Sequence, residues 1–244
     1  MALVCAYGFA ATVLWAPVAL ADVLIEGGLS WAGLGFMAGS ALLHIGYFSA
    51  LQRAYRHGEL SVVYPLARGT GPVLSVTAAI VFLHERPTVL GLVGGALIVA
   101  AIATLVVGST AGIGAALTTG AFTAAYTVWD AHAVTTLQQP PVFYGWVYGL
   151  LLALALLPLA PDVRAVWRAQ RKTVLGIGAL SPLAYVLVLF ALTRAPVSLV
   201  APMRESSVVV GAVLGARVLG EGHLTRRIVA ATAIALGIAA LALG

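Results

Sequence analysis

Long apolar runs separated by short polar breaks dominate this sequence. A helix needs about 20 apolar residues to cross the hydrocarbon core of a bilayer. Runs of that kind predict nine transmembrane helices, at 2–21, 31–52, 60–83, 88–107, 111–134, 142–160, 173–193, 197–219 and 225–243. Strand-like alternation of polar and apolar residues is absent from these runs. The pattern therefore predicts an all-α polytopic membrane protein.

The polar interruptions inside the apolar runs repeat along the chain. Residues 61–85 read SVVYPLARGTGPVLSVTAAIVFLHE, and residues 198–221 read SLVAPMRESSVVVGAVLGARVLGE. With one single-residue gap, the aligned pairs are Arg68 with Arg204, Glu85 with Glu221, Ser61 with Ser198, Pro65 with Pro202, and Tyr7 with Tyr144. Predicted helices 1–4 therefore correspond to helices 6–9, and helix 5 has no partner in the first half.

This correspondence predicts two repeats of the same design. The simplest arrangement has five helices in each repeat and lacks the first helix of the first repeat, so nine helices form a 4+5 repeat. The first repeat is predicted at 1–108 and the second at 109–244. Because a complete repeat has an odd number of helices, the two repeats insert in opposite senses, which makes the repeat inverted.

The amino-acid composition is that of a protein surrounded by lipid. The chain is 61% hydrophobic and 9% charged, with a mean hydropathy of +1.05, whereas a soluble domain carries about 25% charged residues. The net charge of +5 does not come from a basic patch with interleaved aromatic residues, so nucleic acid is not a predicted partner. Instead, nine basic residues fall in loops on the side of residue 1 and two, Arg86 and Arg194, on the other. This asymmetry predicts that the first set faces the cytoplasm.

Motifs for catalysis, metal binding and ATP binding are absent from the sequence. There is no HExxH, no Cys/His metal spacing and no P-loop, and the single cysteine is Cys5. We therefore predict no metal, no cofactor and no enzymatic activity. A transporter with this sequence would be a secondary transporter.

Arg68 and Arg204 are the sharpest candidates for a functional site. An arginine in the middle of the bilayer costs at least about 2.5–3.5 kcal/mol on insertion scales, and here the cost recurs at matched positions. Glu205 is adjacent to Arg204 and can neutralise either arginine. Contact with a substrate or coupling ion and purely structural pairing both account for this pattern. The prolines at 65, 72 and 202 are predicted to kink or break their helices.

Other polar residues are weaker candidates for the same interior. Tyr64 lies one turn before Arg68, and Tyr185 aligns with Phe48, four residues after His44. For His44, a bond to a neighbouring helix is the competing interpretation. Asp130 lies near the end of predicted helix 5, where a solvated helix end is the favoured interpretation and a cavity position the alternative. The charged pair Arg217 and Glu221, with Glu85, is interpreted as structural.

Taken together, these stretches resemble the EamA-type transporters of the drug/metabolite transporter superfamily. The matching segments are Tyr64–Pro87 with Gly91–Val107, and Ala195–Glu221 with Ile228–Leu243. The resemblance implies a ten-helix inverted-repeat permease of the bacterial cytoplasmic membrane, which exports or exchanges small metabolites or drugs by alternating access. It also implies a central cavity, onto which Tyr64, Arg68, Arg204 and Glu205 map. The sequence departs from the family in lacking the first helix and in the predicted external position of the C-terminus.

The predicted partners are a small-molecule substrate, with proton coupling through Glu205 as one candidate mechanism, and membrane lipid. Three GxxxG pairs, Gly35 with Gly39, Gly91 with Gly95, and Gly211 with Gly215, predict close helix packing within the bundle or in a homodimer. Two other classes of function remain open at this point. One is a membrane-embedded enzyme or flippase acting on a lipid-linked substrate, and the other is a non-transporting membrane scaffold subunit.

Overall fold

The computed structural model describes residues 1–27, 29–58, 60–104, 111–205 and 224–243. Within the helices it describes the backbone alone at 60–62, 64–65, 224–228, 231 and 241–242. The described residues form helices and no β-strand. The all-α prediction is therefore confirmed for this part of the chain.

Ten α-helices and one short 3₁₀ turn make up the described structure. The helices are α1 (Ala2–Glu26), α2 (Trp31–His57), α3 (Leu60–Phe82), α4 (Val89–Thr104), α5 (Ile113–Thr135), α6 (Pro141–Leu156), α7 (Val163–Ala169), α8 (Arg171–Leu192), α9 (Val197–Met203) and α10 (Leu224–Leu243). The 3₁₀ turn, Leu157–Leu159, extends α6.

Several helices have the length and composition of a membrane span. Among the described residues, Ala2–Glu26, Trp31–His57, Pro141–Leu159 and Arg171–Leu192 are long and apolar enough to cross a bilayer, and Leu66–Phe82 and Val89–Thr104 are shorter apolar helices. Large apolar side chains such as Val13, Leu24 and Leu187 are exposed on these helices. Surfaces of this kind are compatible with hydrocarbon and not with water, so the protein is an integral membrane protein.

The sequence predicted most helix positions to within a few residues and missed one element. The break predicted between helices 6 and 7 contains α7, a helix of seven residues. The predicted interruption at Pro65 and Pro72 is not a break, because α3 continues from Leu60 to Phe82 through both. At the third proline, α9 ends at Met203, one residue after Pro202.

The chain divides into two compact units. Unit 1 comprises Met1–Ile45 and Trp129–Arg194. In it, α1 packs along α6 and α8 and also contacts α7. Alanines allow this packing at short range: Ala6 and Ala10 of α1 and Val174 of α8 form a buried core against which Val166 and Trp167 of α7 pack.

Unit 2 comprises Gly46–Val128 and Ala195–Gly244. Here α10 packs along α4, and α3 packs against α4 and α9. A methyl group added at Gly237 would stand 2.7 Å from the carbonyl oxygen of Gly94, so glycine permits this close approach of α10 to α4. Ile98 and Ile102 of α4 and Ile234 of α10 form the buried core beside it.

Among the described residues, a close neighbour stands against one of the predicted GxxxG glycines and none against two others. A methyl group at Gly39 would stand 2.5 Å from the Trp129 ring, as a packing face requires. No described neighbour comes within 4 Å of such a methyl group at Gly35 or Gly95, and the close contact of α4 involves Gly94 instead. Gly211 and Gly215 lie outside the described residues.

Each unit contains a carboxylate that accepts hydrogen bonds from the first turn of a helix. In unit 1, Asp22 near the end of α1 accepts from the backbone N–H groups of Val142 and Phe143, both at 3.0 Å. In unit 2, Glu85 accepts from Val197 N at 2.7 Å and Ser198 N at 2.8 Å. The first N–H groups of a helix have no partner within the helix, so these carboxylates fix the starts of α6 and α9.

Candidate functional site

The sequence-predicted site residues fall into two clusters, one in each unit. The arginine cluster contains Arg68, Arg204 and Glu205 with Tyr126 and Thr127, all in unit 2. The Asp130 cluster contains Asp130, His44 and Tyr185 with Tyr144 and Tyr148, all in unit 1. The side chain of Tyr64, the remaining candidate, lies outside the described part of the structure.

Arg68 and Glu205 form an ion pair in the arginine cluster. Arg68 lies in the middle of α3, and its Nη1 stands 3.9 Å from Glu205 Oε1. The two side chains differ in accessibility, since that of Arg68 is 37% exposed and that of Glu205 is 4% exposed. At 3.9 Å the attraction is a contact between charges and not a short hydrogen bond. The ion pair therefore joins a partly exposed guanidinium to a buried carboxyl group.

Hydrogen bonds to α5 hold Arg204 in place. Its Nη1 donates to Thr127 Oγ1 and its Nη2 donates to the Tyr126 hydroxyl, both at 3.1 Å. Thr127 is oriented for this role because its own hydroxyl donates to Thr123 O at 2.7 Å and so presents lone pairs to the arginine. Tyr126 is in turn packed edge to face against Tyr47, with ring centroids 5.7 Å apart. The guanidinium therefore has a fixed direction.

Glu205 follows Arg204 at the end of α9 and lies almost fully buried. The residue is 3% exposed, and the charges of both Arg68 and Arg204 act on its carboxyl group. No donor among the described residues reaches its second oxygen, Oε2. A buried carboxylate costs free energy unless it is paired and hydrogen-bonded. The arginine cluster thus combines two cationic groups with a carboxyl group that has unused capacity for a proton or a hydrogen bond.

The Asp130 cluster is built around one buried carboxylate. Asp130 is 1% exposed. Its Oδ1 accepts a hydrogen bond from the Tyr144 hydroxyl at 2.5 Å, and its Oδ2 accepts one from the Tyr185 hydroxyl. The preferred interpretation from sequence, a solvated helix end, is therefore wrong. Asp130 lies five residues before the end of α5 at Thr135, close to where the sequence places it, but it is buried there and not solvated.

His44 joins this cluster through its ring. The ring stacks on Tyr148 with centroids 4.6 Å apart and meets Tyr185 edge to face at 5.6 Å. Its Nδ1 lies 2.8 Å from the carbonyl oxygen of Ser40, one turn earlier in α2. A carbonyl oxygen only accepts hydrogen bonds, so this contact is a hydrogen bond in the tautomer that has the proton on Nδ1. The local bond to α2 and the aromatic contacts hold the imidazole in one orientation.

Comparison with known proteins now supplies the family. A sequence model of the EamA-like transporter family matches residues 110–243, which is more than half of the chain. The chain belongs to the EamA-like transporter family. The resemblance inferred from the residues is thereby confirmed, and with it membership of the drug/metabolite transporter superfamily. None of the curated proteins compared with this chain matches it.

Membership fixes the broad properties of this EamA-like protein. Its family consists of transporters of the membrane, so a small-molecule substrate and a lipid environment follow. Roles for individual residues do not follow from the family match. The residues that could contact a substrate are those of the arginine cluster and the Asp130 cluster.

Sequence reasoning missed four residues of this EamA-like protein's clusters, namely Tyr126, Thr127, Tyr144 and Tyr148. A weak signal was present for two of them. Tyr126 lies one helical turn before Asp130, on the same face of α5, and Tyr144 opens predicted helix 6. Hydroxyl groups in apolar helices are common, so only the tertiary contacts distinguish these residues from others of their type.

Proposed function

We propose that this EamA-like protein is a secondary transporter of the bacterial cytoplasmic membrane. It exports or exchanges a small metabolite or drug by alternating access, without enzymatic activity. Its helices form two inverted repeats, 1–108 and 109–244, with nine transmembrane helices in a 4+5 arrangement. The repeated arginines support this organisation, since interrupted apolar segments at matched positions of two halves point to a transport site.

The observation that carries the proposal is the arginine cluster. Two guanidinium groups and one buried carboxyl group lie together, one on α3 and the other two just after the end of α9. Ionisable residues inside a membrane span mark substrate or ion pathways by default. Arg68 and Arg204 bind an anionic group of the substrate, and Tyr64, one turn before Arg68, contributes to the same site.

The Asp130 cluster takes part in substrate binding as a second polar surface. Asp130 supplies a carboxyl group, and Tyr185 and His44 supply aromatic faces beside it. A cationic or polar group of a substrate matches the carboxyl group and the aromatic faces of this cluster.

Transport into proteoliposomes tests the assignment of the arginines. We expect flux of at least one compound from a panel of radiolabelled amino acids and cationic dyes. Arg68→Gln and Arg204→Gln should abolish this flux while the protein still inserts into the membrane. The matched control is Arg194→Gln, which removes the same charge from an exposed position in the loop after α8 and should retain wild-type flux.

Three outcomes would contradict the proposal. Normal flux in both cluster variants would show that the arginines are structural. Movement of a fluorescent lipid across the bilayer, without flux of any panel compound, would favour a flippase. Absence of any flux with a correctly inserted protein would favour a scaffold role.

Proton coupling through Glu205 is tested with a pH gradient. The buried carboxyl group of Glu205 is the candidate proton carrier. Among the described residues, no donor forms a hydrogen bond with its Oε2, so this oxygen can accept a proton. We expect an imposed pH gradient to drive uphill transport by the wild type. Glu205→Gln should exchange substrate without responding to the gradient. An unchanged response of this variant would exclude Glu205 as the coupling group.

A further inference from the structure

An apolar groove in unit 1, outside both clusters, is lined by residues of different chemistry along its length. It encloses about 520 Å³ between α1, α7 and the start of α8. Its apolar wall includes Phe9, Val13 and Leu14 of α1. The lining also includes Arg164, Trp167 and Arg168 of α7.

The helix α7 has the properties of an interfacial helix. With seven residues it rises only about 10 Å, far less than the hydrocarbon thickness. Its apolar face, Val163, Val166 and Trp167, packs on the core of Ala6, Ala10 and Val174. Arg164 and Arg168 lie one turn apart on the same side of the helix and are exposed. Tryptophan and arginine at such a position are typical of the level of the lipid headgroups.

The charge around the groove is strongly positive. Between Ala160 and Thr173 the basic residues are Arg164, Arg168, Arg171 and Lys172, and the acidic residue is Asp162. This segment belongs to the side predicted to face the cytoplasm, where anionic lipids attract basic segments close to the membrane. An apolar groove whose lining includes two arginines complements a molecule that has acyl chains and an anionic headgroup.

We propose that this groove is a binding site for an anionic phospholipid. An acyl chain lies along the apolar wall formed by α1, and the phosphate of the headgroup pairs with Arg164 and Arg168. The Trp167 ring lies beside the lipid at the boundary between the two. The lipid would thereby connect α7 to α1 in unit 1.

Quenching of tryptophan fluorescence by brominated lipids tests the proposal. The full-length protein is reconstituted in vesicles of phosphatidylcholine that contain dibrominated phosphatidylglycerol or dibrominated phosphatidylcholine with the same acyl chains. We expect half-maximal quenching at a mole fraction of brominated phosphatidylglycerol on the order of tenfold below that of brominated phosphatidylcholine. The high-affinity component should disappear in Trp167→Phe.

Two double variants with the same change of charge identify the arginines as the cause. Arg164→Gln with Arg168→Gln should lose the preference for phosphatidylglycerol. Arg53→Gln with Arg56→Gln removes two exposed charges from the end of α2, on the same predicted side of the membrane, and should retain it. Arg164→Lys with Arg168→Lys, which preserves the charge and the packing of α7, should also retain most of the preference.

Equal quenching of the wild type by both lipids would overturn the proposal, because the groove would then hold ordinary acyl chains only. Equal loss in both glutamine variants would overturn it as well, because the effect would then belong to the whole basic surface. Emission spectra in pure phosphatidylcholine check that α7 still packs, and loss of preference in the lysine variant despite a native spectrum would also contradict the proposal.

Discussion

At the scale of single residues, polar groups in these apolar helices are held in chains of hydrogen bonds. The clearest chain runs along α5 and ends on Arg204. The Thr127 hydroxyl donates to the carbonyl of Thr123 and accepts from Arg204 Nη1. A hydrogen bond to a charged group contributes about 1.5–3 kcal/mol. Thr127 is therefore expected to stabilise the position of the guanidinium and not only its own helix.

Replacing Thr127 with valine tests this role. The substitution preserves the shape of the side chain and removes the acceptor for Arg204, so the free energy of unfolding should fall by about 1.5–3 kcal/mol. Thr118 is the matched control, because it bonds to Gly114 O in the same way but is exposed on α5. Thr118→Val should change stability by less than about 0.5 kcal/mol. Unfolding in mixed micelles of sodium dodecyl sulfate and a mild detergent measures both, and equal effects would contradict the assigned contact.

Asp130 shows where sequence reasoning about a residue stops. Its distance from the end of the apolar run suggested a solvated position. In the structure its carboxyl group is bonded to Tyr144 and Tyr185, which lie 14 and 55 residues away in sequence. The sequence around Asp130 does not predict contacts over such separations. Arg68 and Glu205 were easier to predict, because a charge inside an apolar run needs a compensating partner and few carboxylates were available.

At the scale of elements, the starts of α6 and α9 are set by carboxylates from elsewhere in the same unit. Neither helix has a side-chain cap of its own, and each begins beside a proline, Pro140 for α6 and Pro196 for α9. Asp22 and Glu85 supply the missing acceptors. They also place negative charge at the positive end of each helix dipole, where it is favourable. The interpretation of Glu85 as structural agrees with this contact, whereas the role of Asp22 was not foreseen.

Removing Glu85 should therefore destabilise the protein. Glu85→Ala leaves the N–H groups of Val197 and Ser198 without their acceptor, and the loss of such a cap typically costs about 0.5–2 kcal/mol. Glu26→Ala serves as the control, since Glu26 is an exposed carboxylate at the C-terminal end of α1. Its removal should leave the unfolding free energy unchanged within about 0.5 kcal/mol. Equal stability of Glu85→Ala and wild type in the micelle assay would show that the cap is dispensable.

The helices that the sequence predicts and the helix that it does not predict are formed by different interactions. Long membrane spans follow from hydropathy, because every backbone polar group in lipid must be satisfied within the helix. The short helix α7 depends on tertiary packing of Val166 and Trp167 and has no such signal. The continuity of α3 through Pro65 and Pro72 likewise depends on surroundings that compensate for the lost hydrogen bonds.

At the scale of the whole molecule, the composition indicates a membrane protein, and the asymmetry of charge between loops predicts its orientation in the membrane. The low charge content predicted a membrane protein, which the family match and the apolar helices bear out. The sense of insertion is a prediction from the loops alone. Of the basic residues outside the arginine cluster, the predicted helices put nine on the side of residue 1 and two on the other. Basic residues in short loops are retained in the cytoplasm, so Arg86 and Arg194 should face outward.

Cysteine labelling in intact cells tests this orientation, and the chain suits the method. Its single cysteine, Cys5, is fully buried, and Cys5→Ala provides a background without thiols. In that background, Arg86→Cys and Arg194→Cys should react with a membrane-impermeant maleimide added outside, because both positions lie in loops on the predicted external side. Arg56→Cys and Arg171→Cys should react only after the cells are permeabilised. The reverse pattern would place the basic loops outside and invert the proposed topology. Labelling of all four positions from outside would indicate a mixture of orientations, in which the charge asymmetry does not determine the direction of insertion.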